Sequence, residues 1–272
     1  MKKDFATPVG LVISFGLVFC AMIGLFGPLN LIIQAIAAPI IPPLVIFIDL
    51  DSLAIVLGGT FGALLVNFKF NDIKKSISLS IQALTAPAQG DEAETIQQVV
   101  DLSQEARVNG LLALEPKIKQ IESEFLRTGL EMVVDGTDPD EIRENMENEL
   151  AYIQRRHLKG QQFFLQAGAY CPSFGMVGTL IGLVQMMTDL TDIDMIASSM
   201  QVALLTTFYG SLIANAVFLP LGGKLSIMTS NEVVLKELMI EGVMSIPKGE
   251  NPKVLKKYLN TFIAPKRRLQ DA

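Results

Sequence analysis

The stretch Cys171-Pro172-Ser173-Phe174-Gly175-Met176-Val177-Gly178-Thr179-Leu180-Ile181-Gly182 sets oxygen donors into an otherwise apolar run. Proline lacks an N–H, so Pro172 frees a backbone carbonyl one turn upstream, near Gly168. A bare carbonyl and the Thr179 hydroxyl are oxygen ligands that a small cation can use. A second apolar run, Leu204-Leu205-Thr206-Thr207-Phe208-Tyr209-Gly210, adds two more hydroxyls. A plainer reading stands beside this one. Gly175, Gly178 and Gly182 are three and four residues apart, so they share a helix face on which small residues permit close packing. Threonines within membrane helices also bond back to their own helix carbonyls.

Other chemistry is missing from the chain. It holds no nucleophile–base pair, no metal-spaced cluster and no glycine-rich phosphate loop, which argues against an enzyme and against a bound cofactor. The net charge of −6 argues against a nucleic-acid partner, which needs a basic face. Cys20 and Cys171 lie in apolar runs and read as small buried hydrophobes. His157, the single histidine, stands in the basic run Arg155-Arg156-His157-Leu158-Lys159 and is expected to face solvent or lipid headgroups. The apolar segments carry no internal Asp, Glu, Lys or Arg. An ion carrier normally needs an ionisable group at membrane depth, so either this chain carries no ions or a partner supplies the carboxylate.

Half of the 272 residues are hydrophobic, which places the chain among membrane proteins. The basic residues show how it threads the lipid. No Lys or Arg occurs between Lys3 and Lys69, nor between Lys159 and Lys224. A basic side chain at a helix centre costs about 2.5–3.5 kcal/mol on insertion, so these gaps mark the membrane and the basic blocks mark the cytoplasm. One span takes about 20 residues, so each gap holds a helical hairpin. The expected fold is all-α: an integral membrane protein of four transmembrane helices with a helical cytoplasmic domain between helices two and three. The first hairpin occupies 1–68, with helices over about 7–26 and 50–68. The N-terminal apolar run is expected to remain as an uncleaved helix. Pro28, Pro39, Pro42 and Pro43 break the path between these helices into a periplasmic segment. The second hairpin occupies 161–223, with helices over about 163–187 and 197–221. Its turn carries Asp189, Asp192 and Asp194 and no base, as outer loops often do. Both termini are then cytoplasmic, and the spans meet membrane lipid.

The cytoplasmic block, 69–160, is rich in Glu, Lys, Gln and Ser with spaced Leu and Ile, the pattern of amphipathic helices. Ala86-Pro87-Ala88-Gln89-Gly90-Asp91 ends the first of them. Helices follow over 95–107 and 110–134. A turn at Asp135-Gly136-Thr137-Asp138-Pro139 opens a charged helix over 140–159 that runs into the membrane. The tail, 224–272, is helical with a basic cluster, Lys266-Arg267-Arg268. These charges also suit a plain solvated helical surface.

Four motifs in order resemble one family: Phe47-Ile48-Asp49-Leu50-Asp51-Ser52 with Leu57-Gly58-Gly59-Thr60; Arg107 followed by Gly110-Leu111-Leu112-Ala113-Leu114-Glu115; the Pro172–Leu183 stretch; and Ala203–Gly210 followed by Asn215 and Pro220. Spread over about 47–225, they are similar to the MotA/PomA flagellar stator subunit and, more distantly, to the ExbB/TolQ proteins. The Pro-rich stretch 28–46 is longer than the family's loop. The resemblance implies a bacterial inner-membrane homopentamer around two copies of a MotB/PomB-type B subunit. That partner would carry the ion-binding aspartate, and ion flow would turn the ring against the rotor protein FliG. Arg107 and Glu115 match the family's charged rotor-contact positions, with Glu149 a further candidate. Pro172 and Pro220 match its two functional prolines.

Thr179, Thr206 and Thr207 match the threonines of the sodium-driven branch. With Pro172, Gly175 and Pro220 they form the implied ion pathway, in which Na⁺ passes Thr179 and Thr207 beside the partner's aspartate. The expected function is therefore torque generation driven by Na⁺ rather than H⁺. Two other functions fit the same chain: an ExbB/TolQ-like energiser of outer-membrane processes, and a passive scaffold whose threonines only pack.

Overall fold

The computed structural model describes residues 47–85 and 92–263, the side chains of 79–85 excepted. The expected helix over 7–26, Cys20, the Pro-rich segment, the break at 86–91 and the cluster Lys266-Arg267-Arg268 lie outside the described residues. What is described is helical throughout, without strands. The helices are α1 (Leu50–Asn67), α2 (Phe70–Thr85), α3 (Glu92–Asn109), α4 (Glu115–Ile118), α5 (Glu124–Val134), α6 (Pro139–Met186), α7 (Ile193–Ser245) and α8 (Pro252–Leu259). Of these, α1, α6 and α7 are long and apolar enough to cross a membrane. At 48 residues, α6 spans roughly 70 Å, more than twice a hydrocarbon core.

The chain divides into two compact units, one of residues 1–82 with 159–225, the other of 83–158 with 226–272. In the first, α1 packs on α6 and α7. Asp49 starts α1 as its N-cap, accepting from the Ser52 N–H at 2.8 Å. Gly59 is set against the Phe174 ring. Phe68, Phe163 and Phe164 stack edge to face, with centroids 5.7 and 5.1 Å apart. Cys171 is fully buried, as its apolar surroundings imply, and accepts from the Thr60 hydroxyl. Both α1 and α7 contain a π turn, at Ala54–Gly58 and Ala214–Phe218. The second ends two residues before Pro220, whose ring and missing N–H distort an ordinary α turn. Pro172, by contrast, sits inside α6 without ending it.

In the second unit, Ile96, Val99, Leu126, Leu130, Ile142, Leu238 and Val243 form a closed core. Gly129 and Gly242 let Met146 and Val99 approach the helices that carry them. Arg143 joins α6 to α7 through Glu241 at 2.8 Å, a hydrogen-bonded pair that holds the guanidinium charged. One expectation is corrected here: 110–134 is not a single helix. Gly110 takes φ +85°, a 3₁₀ turn follows at Leu111–Leu114, and Ser123 caps a fresh helix by accepting from the Leu126 N–H. The amphipathic spacing survives these breaks, so periodicity alone joins the pieces.

His157 is also corrected. It does not face solvent: its side chain is 17% exposed and meets Glu232 at 3.4 Å and the Thr229 hydroxyl at 3.4 Å. Burial pushes the imidazole below its ordinary 6.5; Glu232 opposes this, while Arg156 and Lys236 reinforce it. A histidine with a depressed folded value adds stability that is present above about 6.5 and lost as pH falls through that folded value. Melting of the full chain in detergent, from about pH 7.5 down to about pH 5, should therefore show falling stability. His157→Gln should flatten the slope; an unchanged slope would clear His157 of the effect.

Candidate functional site

Close approach of α6 and α7 builds the site. A methyl group placed on Gly175 would lie 2.9 Å from the Thr206 carbonyl oxygen, and one on Gly182 would lie 2.5 Å from that of Ser199. From the other side, a methyl group on Gly210 would lie 2.8 Å from the Cys171 carbonyl oxygen and 3.2 Å from the Pro172 Cα. The glycine face therefore does what its spacing implies and brings backbone to backbone.

At this crossing the hydroxyls of Thr179 and Thr207 stand 2.6 Å apart. Thr179 is also within bonding distance of the Gly175 carbonyl at 3.1 Å and the Ala203 carbonyl at 3.3 Å. Thr207 reaches the same Ala203 carbonyl at 3.4 Å. Four oxygens, two hydroxyl and two carbonyl, thus gather on a surface that is otherwise apolar. Met176, Leu180, Leu204 and Phe208 around them are exposed within this chain. The hydroxyl protons can turn toward the carbonyls, which leaves oxygen lone pairs to face a cation.

Other expected pathway residues fall elsewhere. Thr206 is fully buried against Gly178 and donates to the Val202 or Ala203 carbonyl, at 2.9 and 3.1 Å. It packs and does not join the hydroxyl pair. Gly175 and Pro172 shape the crossing. Gly168, whose carbonyl Pro172 was expected to free, is covered by the Leu219 side chain. Pro220 lies thirteen residues beyond Thr207, about 20 Å along a helix.

Tyr209 was not singled out by its sequence, although it directly follows the threonines. Its hydroxyl donates to the Phe47 carbonyl and accepts from the Asp49 N–H at 3.1 Å, tying the start of α1 to α7. Tyr209→Phe removes both of these hydrogen bonds and should cost about 1–3 kcal/mol of stability. Thermal unfolding of the solubilised chain measures this, and an unchanged midpoint would contradict it.

In the second unit, Arg107 and Glu115 are exposed on either side of the Gly110 turn. Glu149 lines a different surface, a cleft of about 540 Å³ with Tyr152, Arg156, Glu232 and Lys236. Among the described residues no three His, Cys, Asp or Glu side chains could share a metal ion.

Comparison with known proteins places these features in a family. Residues 117–238 match the MotA/TolQ/ExbB proton channel family. Motility protein A of Borreliella burgdorferi is 40% identical over 225 residues, covering 83% of this chain and 86% of that one. Chemotaxis protein PomA of Vibrio alginolyticus is 33% identical over 260 residues, covering 96% and 95%. The flagellar MotAB stator complex from Bacillus subtilis superposes with a TM-score of 0.77 at 30% identity, covering 89% of this chain and 97% of its own.

Proposed function

The chain belongs to the motility protein A family, within the MotA/TolQ/ExbB group, and on that premise we propose that it is the membrane subunit of a flagellar stator that turns Na⁺ flow into torque. The observation that carries the ion assignment is the Thr179–Thr207 hydroxyl pair. A dehydrating Na⁺ is stabilised by neutral oxygen ligands, whereas moving a proton onto a carboxylate requires none. No Asp, Glu, Lys or Arg lies in 160–188 or 195–223, and α1 carries only Asp51, in its first turn, which supports an ionisable group supplied from outside the chain. In this reading a B subunit of the kind named in the MotAB complex supplies it, as an aspartate.

In this reading five copies surround two B subunits in the bacterial inner membrane, with both termini cytoplasmic. Ion passage past the aspartate and the threonine pair steps the ring. Arg107, Glu115 and Glu149 present charge to the rotor protein FliG. Swimming speed measured against external sodium at fixed pH tests the ion assignment. Speed that rises and saturates with sodium supports it. Speed indifferent to sodium but abolished by a protonophore assigns the flow to H⁺.

A further inference from the structure

Arg107 and Glu115 sit at the ends of a turn that also exposes two large apolar side chains. Val108 is 72% and Leu112 74% exposed, although the buried Ala106 and Leu114 anchor the same turn in the core of its unit. This exposure is held in place. Lys117 meets Glu105 at 2.5 Å, and the Asn109 amide donates to the same carboxylate at 2.6 Å, which clamps the base of the turn. Gly110, at φ +85°, donates to the Ala106 carbonyl at 2.9 Å and reverses the chain. Charges nearby are unequally satisfied. Glu105 and Lys117 neutralise each other, and Glu115 lies 3.7 Å from Lys119. Arg107 makes no ion pair among the described residues.

We propose that Val108 and Leu112 are the apolar grip of the rotor contact, seated against an apolar patch on a rotor helix whose acid meets Arg107 and whose base meets Glu115. The proposal rests on the stator reading above and names what that reading leaves open: where the holding force comes from. Exposed ion pairs contribute little in physiological salt, where screening acts within about 8 Å. They steer and align partners, while desolvated apolar contact at the centre holds them. A turn with apolar residues between opposite charges, pre-ordered by the Glu105–Lys117 clamp, offers both at low entropic cost.

The test is bead rotation in a strain without its own stators, carrying this chain with its B subunit. The variants are Val108→Asn with Leu112→Asn, and separately Leu112→Met. Ion flux through the same complexes and their membrane level are read in parallel. Losing each buried side chain weakens rotor binding about tenfold. The asparagine variant should therefore lose engaged stators and stall torque while keeping flux and membrane level, and Leu112→Met should rotate nearly normally. Undiminished torque in the asparagine variant, with Arg107→Glu still impaired, overturns the apolar grip and spares the stator reading. Loss of assembly or flux in the asparagine variant also overturns it, because the pair then serves subunit packing. A wild-type complex that conducts but never turns the bead overturns the stator reading itself, and this proposal with it.

Discussion

On the proposed sodium mechanism, Thr179→Ala should stop rotation while the chain still folds and inserts. The substitution removes one of two hydroxyls 2.6 Å apart and leaves the Gly175 and Ala203 carbonyls without a bridge between them. The cost to folding is about 1 kcal/mol, the net worth of an ordinary hydrogen bond. The cost to ion transfer is far larger. Each preorganised dipole in a water-poor site acts on the full charge that passes, and removing one from such sites costs about 10²-fold or more. Thr206→Ala is the matched control, because its hydroxyl is buried and bonded to its own helix. It should disturb packing and leave the sodium dependence unchanged. If Thr179→Ala rotates normally, the threonines only pack and the passive reading of them is correct.

Gly182→Val should do the opposite and destabilise the fold itself. Its first added carbon would lie 2.5 Å from the Ser199 carbonyl oxygen and 2.9 Å from the Ala203 nitrogen. Both are backbone atoms, so no side chain can swing away and α6 must part from α7. Overpacking a core costs about 1–3 kcal/mol, and a clash with fixed backbone falls at or beyond the upper end. The separation also pulls Thr179 from Thr207. Gly223→Val is a suitable contrast, since nothing lies within 4 Å of a methyl group placed there. Size-exclusion profiles in detergent after graded heating measure the loss. A Gly182→Val protein as heat-resistant as wild type would show that the two helices do not need this contact.

The membrane helices were legible because lipid excludes charge over long runs. The two stretches without Lys or Arg locate α1, α6 and α7, and the glycine spacing anticipates the packing of α6 on α7. Short elements were less legible. Nothing in the apolar spacing of 110–134 announces that Gly110 takes a positive φ or that Ser123 starts a new helix. Those breaks follow from local backbone geometry and capping, which periodicity averages away. Within the site, Thr206 and Thr207 look equivalent in sequence. Helical phase separates them, since adjacent residues point about 100° apart. Only Thr207 then meets Thr179. The sequence misleads at His157, whose neighbours are basic and exposed while its buried partner, Glu232, comes 75 residues later. The role of Tyr209 is hidden in the same way: its contacts at Phe47 and Asp49 lie some 160 residues upstream.

The most direct test of the central claim is to express the chain with its B subunit in cells lacking their own stators and to record single-motor rotation. The account predicts rotation that appears in discrete speed steps as units engage and halts when the ion gradient is collapsed. A complex that reaches the membrane at normal levels, yet leaves the motor still under a full gradient, would contradict it.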